Sequence, residues 1–76
     1  MTGAIPTWTL GDRLRKARLH AGLDQAQLAA ITGMSRNTVG NYEADKSTPS
    51  KLYLRAWATA TGVSIEWLQH GDDAPS

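Results

Sequence analysis

The sequence predicts an all-α domain built from five short helices, and three observations carry that expectation. Apolar residues recur at spacings of three and four, the period of one helix face, and no stretch alternates as a strand would. A small polar residue able to cap a helix precedes each such stretch: Thr9, Asp24, Ser35, Thr48 and Ser64. Gly22, Gly33, Gly62 and Gly71 stand where helical stretches should stop. A chain of 76 residues suits one domain with a modest buried surface. It divides into an N-terminal segment 1–8, a folded unit 9–71 and a polar tail 72–76.

Taken in order, Gly3 and Pro6 argue against regular structure in residues 1–8, where Trp8 is expected to dock on the domain and Met1 to Ala4 to fray. The first helix starts at Thr9, with Asp12 placed to favour the helix dipole. Leu10, Leu14, Ala17 and Ala21 form its apolar stripe, and Arg13, Arg15, Lys16 and His20 lie off it. Arg18 falls beside the stripe, where an unpaired charge is costly, so a carboxylate partner is expected. The second helix is capped by Asp24, with Gln27 completing a capping-box variant and Leu23 set to pack on Leu28. Leu28, Ala29 and either Ile31 or Thr32 face inward, and Gly33 closes the helix. Met34 then turns inward and Ser35 caps a third helix running from Arg36 to Glu43, with Val39 and Tyr42 on its inner side. Residues 44–48 form a polar loop. Thr48 caps the fourth helix, with Pro49 in its first turn; Leu54, Trp57, Ala58 and Thr61 make its buried face, with Leu52 or Tyr53 beside them. Ser64 caps the fifth helix, which carries Ile65, Trp67 and Leu68.

Composition narrows the function classes. The net charge of +1 is uninformative, but all eight Lys and Arg lie between Arg13 and Arg55, accompanied only by Asp24, Glu43 and Asp45. A basic centre suits a polyanionic partner, although a solvated helix face would look similar. The absence of cysteine excludes disulfides and thiolate metal sites and fits a reducing cytoplasm. No apolar run approaches the roughly 20 residues of a membrane helix. His20 and His70 have neither a paired carboxylate nor metal-ligand spacing, so no catalysis, metal, cofactor or small-molecule substrate is expected.

The informative stretch is Gln25 to Glu43. Gly33-Met34-Ser35 separates two helices by a turn of the length a helix-turn-helix needs. The third helix then presents Arg36, Asn37, Thr38, Gly40 and Asn41 outward, a row able to read base edges. Arg36 can pair with guanine O6 and N7, or clamp a phosphate from the start of the helix. Asn37 or Asn41 can pair with adenine N7 and N6, and Thr38 can touch a thymine methyl. Gly40 costs about 1 kcal/mol against alanine; either a backbone approach requires it, or a marginal helix tolerates it.

These residues resemble the Cro/repressor-type, or xenobiotic-response-element-type, helix-turn-helix proteins of phages and bacteria. The resemblance spans Leu10 to Gly71. It rests on Leu14 and Arg18, Gly22-Leu23, Gln25 with Leu28 and Ala29, Gly33 and Ser35, Val39 with Tyr42 and Glu43, Pro49, Ala58, Gly62-Val63-Ser64, and Trp67-Leu68 with Gly71. It implies a five-helix lambda-repressor-like domain whose second and third helices bind double-stranded DNA, the third in the major groove. Gln25 matches the family glutamine that meets a phosphate, and Arg18 and Glu43 match a structural ion pair. Ser35, Lys46, Ser47, Thr48 and Lys51 are the further phosphate candidates. The resemblance implies a sequence-specific transcriptional regulator in a prokaryotic or phage-infected cell, a Cro-like or immunity-type repressor that occludes a promoter. It also implies a weak homodimer, formed mainly on an inverted-repeat operator, with Pro49, Ile65, Trp67 and Leu68 as candidate dimer surface.

Three departures from the pattern stand out. Thr61 replaces a usual leucine, Trp57 is larger than the usual leucine or isoleucine, and Ala44-Asp45 replaces a turn glycine and brings a negative charge near the expected phosphates. Competing readings are a DNA-binding antitoxin-type interaction protein, a host regulator of the same fold, and a non-specific DNA binder. The last would call for more Lys and Arg. The segment from Gly71 onward reads either as a terminus or as the start of a linker.

Overall fold

Each helix begins where a polar side chain takes up an amide of the first turn. In the computed structural model, which describes residues 8–71, five helices follow in order: α1 (Leu10–His20), α2 (Gln25–Thr32), α3 (Arg36–Glu43), α4 (Lys51–Thr61) and α5 (Ile65–His70). Thr9 and Asp24 cap α1 and α2 through complete capping boxes, with Asp12 and Gln27 reaching back to the cap amides. Ser35, Ser50 and Ser64 cap the others. Gly33 and Gly62 end α2 and α4 at φ 78°, a left-handed conformation open to glycine at little cost. No strand occurs among the described residues, so the all-α expectation holds. The fraying expected of Met1 to Ala4 and the mobile tail 72–76 lie outside the described residues.

The core is small. Leu14, Ala17, Leu28, Ala29, Met34, Val39, Leu54, Trp57, Ala58 and Leu68 are its buried apolar members, and every helix supplies at least one. Trp57 sits at its centre, fully buried, and its indole N–H donates to the Leu14 carbonyl at 3.0 Å, fastening α4 to α1. Thr61, in place of a leucine, is also buried; its hydroxyl donates to the Trp57 carbonyl at 2.8 Å, which satisfies the polar group within its own helix.

Two expectations are corrected and two open alternatives are resolved. Ala21 is exposed, because α1 ends at His20 and Ala21 is its C-cap, so it never joins the stripe. Of the two alternatives in α2, Thr32 turns inward and Ile31 is 59% exposed. Ser50, not Thr48, caps α4; Pro49 precedes the cap and is buried. Tyr53 packs on the core, stacking obliquely against Tyr42 at 6.4 Å between rings, whereas Leu52 is exposed.

Two cross-ties at the start of α1 have no precedent in the sequence pattern. A β-carbon at Gly11 would lie 2.5 Å from the Glu43 carbonyl oxygen and 2.8 Å from that of Tyr42, so only glycine lets α1 lie against the end of α3. Asp45 adopts a left-handed φ of 59°, and its carboxylate accepts from the Gly11 amide at 2.9 Å and from the Thr9 hydroxyl at 2.6 Å. The charge expected near phosphates is thus turned onto the N-terminus of α1, where the helix dipole favours it. Gly11→Ala is expected to lower unfolding stability by about 1–3 kcal/mol, the usual cost of overpacking. Asp45→Ala should lower it by about 1 kcal/mol, that of a lost cap. Urea titration checks both, and a native midpoint for Gly11→Ala would mean that α1 can draw away without cost.

Candidate nucleic-acid interface

The outward face of α3 is built from its inner one. Val39 is fully buried and Tyr42 half-buried against the core, which sends Arg36, Asn37, Gly40 and Asn41 to the opposite side. Ser35 starts the helix: its oxygen accepts from the Thr38 amide at 3.0 Å, and its hydroxyl donates to that of Thr38 at 2.8 Å. Both hydrogen-bonding roles of Ser35 are therefore engaged inside the chain, and Thr38 is half-buried. Among the described residues, the side chains of Arg36, Asn37 and Asn41 have no protein hydrogen-bond partner, which leaves their donors and acceptors for another molecule.

The structure brings most of the expected residues together. Gln25, Arg36, Asn37, Gly40, Asn41 and Lys46 line one shallow depression, with two cations and no carboxylate. A second depression adjoins it, shares Gln25 and Arg36 with it and extends to Asp24 and Ala26 at the start of α2. Ser47, Thr48 and Lys51 are exposed on the loop and first turn of α4, outside both. A β-carbon at Gly40 would meet the Gln25 carboxamide at 3.8 and 4.0 Å, ordinary contact distances, so packing does not require glycine there.

Beneath this surface lies the expected ion pair. The Arg18 Nε donates to one Glu43 oxygen at 2.6 Å and its Nη2 to the other at 3.0 Å, with the two side chains only 9% and 5% exposed. The third nitrogen, Nη1, donates to the Leu23 carbonyl at 2.9 Å. Hydrogen bonding to Glu43 raises the Arg18 guanidinium above its ordinary value against the opposing effect of burial, and the charges of Glu43 and Asp24 add to the rise. The Glu43 oxygen facing Nη2 also accepts from the Gln25 Nε2 at 3.2 Å. The pair thus reaches from the interior to the candidate phosphate contact.

Of the candidate dimer residues, Leu68 is fully buried in the core and Pro49 is buried within the protomer. Ile65 and Trp67 are half-buried against the core. One organising residue escaped the sequence reading. Arg13 donates through Nε and Nη2 to the Leu68 and Gln69 carbonyls at 2.8 and 3.0 Å, closing the C-terminal end of α5, and through Nη1 to the Trp8 carbonyl at 3.0 Å. Its position off the α1 stripe was legible; partners 55 residues away were not. Trp8 anchors by that carbonyl while its side chain stays about half exposed.

A model of the helix-turn-helix family matches residues 14–68. The chain belongs to the helix-turn-helix family. Within it the Cro/repressor-type resemblance also holds. The chain is 35% identical over 95% of its length to the HTH-type transcriptional regulator PrtR of Pseudomonas aeruginosa, of which it covers 28%. It is 34% identical over 84% of its length to the prophage-derived regulator YonR of Bacillus subtilis, covering 59% of that protein. With the immunity repressor of Bacillus phage phi105 it shares 35% identity over 75% of the chain and 40% of the relative. It therefore spans between about a quarter and three fifths of the length of these curated relatives. The fold matches the P22 c2 repressor, solved in complex with a synthetic operator, at a TM-score of 0.81 and 29% identity, covering 87% of this chain and all of that one. It matches the restriction-modification controller protein C.AhdI of Aeromonas hydrophila at 0.73 and 34% identity, over 78% of this chain and 89% of that one. No described helix is long and apolar enough to cross a membrane.

Glu43→Ala would leave a buried guanidinium without its anion. We expect a loss of about 3–5 kcal/mol in unfolding stability, measured by urea titration; a loss below about 1 kcal/mol would remove the ion pair from the list of structural determinants.

Proposed function

We propose that this helix-turn-helix chain is a sequence-specific binder of double-stranded DNA that regulates transcription, acting as a Cro-like or immunity-type repressor by occluding a promoter. One observation carries the reading: among the described residues, the Arg36, Asn37 and Asn41 side chains are unpartnered on a single helix face, gathered in one depression with Gln25 and Lys46. Amides and a guanidinium are the groups that read base edges in the major groove, and the flanking donors are those that hold phosphates. The relatives support it, since they are named as transcriptional regulators and an immunity repressor, and one structural match carries operator DNA.

In this reading α3 lies in the major groove. Arg36 pairs with guanine, Asn37 and Asn41 with adenine, and the Thr38 methyl touches thymine, while Gly40 admits close backbone approach. Gln25, Lys46, Ser47, Thr48 and Lys51 meet phosphates; Ser35 joins them only by giving up its bond to Thr38. One domain of this size makes few contacts, so two copies bind an inverted repeat with recognition helices roughly 34 Å apart. Ile65 and Trp67 are the dimer residues with surface left to offer. One observation favours a second role, in binding another protein: Ile31 and Leu52 are 59% and 73% exposed and share a mainly apolar depression with Arg55, Ala56, Thr59 and Ala60.

Selection of sites from a random duplex library at physiological salt tests the reading. The expected result is an inverted repeat with half-sites about one helical turn apart. Recovery of no motif, with binding that vanishes as salt rises, would leave non-specific contact alone and turn the search to a protein partner. On the selected site, Arg36→Ala should relax preference at one base-pair position, at a cost of about 1–3 kcal/mol. Equal losses on all sequences would assign Arg36 to a phosphate instead.

A further inference from the structure

We propose that Glu43 is a positioning residue for DNA binding, orienting the Gln25 carboxamide on the binding surface as well as neutralising Arg18. The inference rests on the reading of Gln25 as a phosphate contact. Its basis is one oxygen shared by two donors: the Glu43 Oε1 accepts from the Arg18 Nη2 at 3.0 Å and from the Gln25 Nε2 at 3.2 Å.

The chemistry of a carboxamide makes this bond directional. The two ends of an amide have similar shape but opposite hydrogen-bonding character. With Nε2 toward Glu43, one N–H is taken by the carboxylate and the second remains free. A flip would set the Gln25 oxygen against a carboxylate oxygen, two acceptors facing each other with no proton between them. Glu43 therefore selects one of two otherwise similar rotamers and keeps a donor in place on a half-buried side chain. Arg18 contributes too. Unpaired, a carboxylate so close to the binding surface would repel phosphate; the bidentate guanidinium cancels that charge while holding both oxygens. Fixing the donor before DNA arrives removes an ordering cost at binding.

Two measurements test this. The first needs no DNA. In the native chain, one side-chain amide proton of Gln25 is expected to exchange with water several-fold more slowly than those of Gln27, whose carboxamide is held through its oxygen by the Asp24 amide. Equal exchange would overturn the proposal. The second is a double-mutant cycle on affinity, read with a labelled duplex of mixed sequence at low salt, because phosphate contacts are independent of sequence. Gln25→Ala should weaken binding about tenfold in the native chain, as expected for one hydrogen bond to a charged group. The second background replaces the buried pair with apolar residues, Arg18→Met with Glu43→Leu, a change that folded domains often accept. There Gln25→Ala should cost less than about twofold, because its orientation is already lost. The same tenfold loss in both backgrounds would overturn positioning while leaving Gln25 as a contact. No loss in the native chain would overturn both. Neither result depends on an operator being found, so a failure of sequence-specific binding stays separate. Should the apolar background not fold, the exchange measurement decides alone.

Discussion

Burying one guanidinium under a fold this small constrains much of what surrounds it. Arg18 is held in the interior by Glu43 through two hydrogen bonds and by the Leu23 carbonyl through a third. Those partners belong to the last residue of α3 and to the turn before α2. A single side chain on α1 therefore fixes the end of one helix and the entry to the next. A buried charge tolerates little displacement, because each lost bond exposes it to the desolvation cost it otherwise avoids. The orientation of α3 therefore rests on this pair together with its buried Val39 and half-buried Tyr42.

The remaining ties share one logic. Helices of six to eleven residues are marginal alone, and the ten buried apolar side chains among the described residues make a thin core. The fold compensates by fastening helix ends across the domain. Asp45 closes the N-terminus of α1, Arg13 closes the C-terminus of α5, and Trp57 joins α4 to the middle of α1. Several of these bonds satisfy backbone groups that a helix terminus leaves open. Polar side chains committed to such ties are withdrawn from the surface, so the charges still free to meet a ligand are a selected subset. Asp45 is the clearest case: a carboxylate next to α3 in sequence is turned onto the N-terminus of α1 in space.

That selection produces the candidate interface. Glu43 is neutralised from beneath, Asp45 is turned aside, and Arg36 and Lys46 remain with the amides of Gln25, Asn37 and Asn41 around a glycine. The resulting surface is positive and rich in hydrogen-bond donors although the whole chain carries only +1. Net charge is thus a poor guide to this protein, and local disposition a good one.

Much was legible in the sequence because it depended on neighbours. The five caps precede their helices by one residue, and four of them were placed from residue type alone; the turn Gly33-Met34-Ser35 and the outward row of α3 likewise follow from local backbone preference and helical period. Arg18 announced a partner by its awkward place beside an apolar stripe, and the family pattern supplied Glu43. What escaped was set by distance in the chain. Ser50 rather than the expected Thr48 caps α4, with Pro49 buried just before it. Ile31 and Thr32 were indistinguishable until α4 was in place. The requirement for glycine at 11, the aim of Asp45 and the reach of Arg13 to α5 arise from contacts 31 or more residues apart, which no local pattern encodes. Sequence by itself determined where helices begin and which side of each is apolar, because those are short-range energies. Only the tertiary structure decided which polar groups are spent on holding the fold and which are left to bind, because that depends on what each one meets when the helices pack.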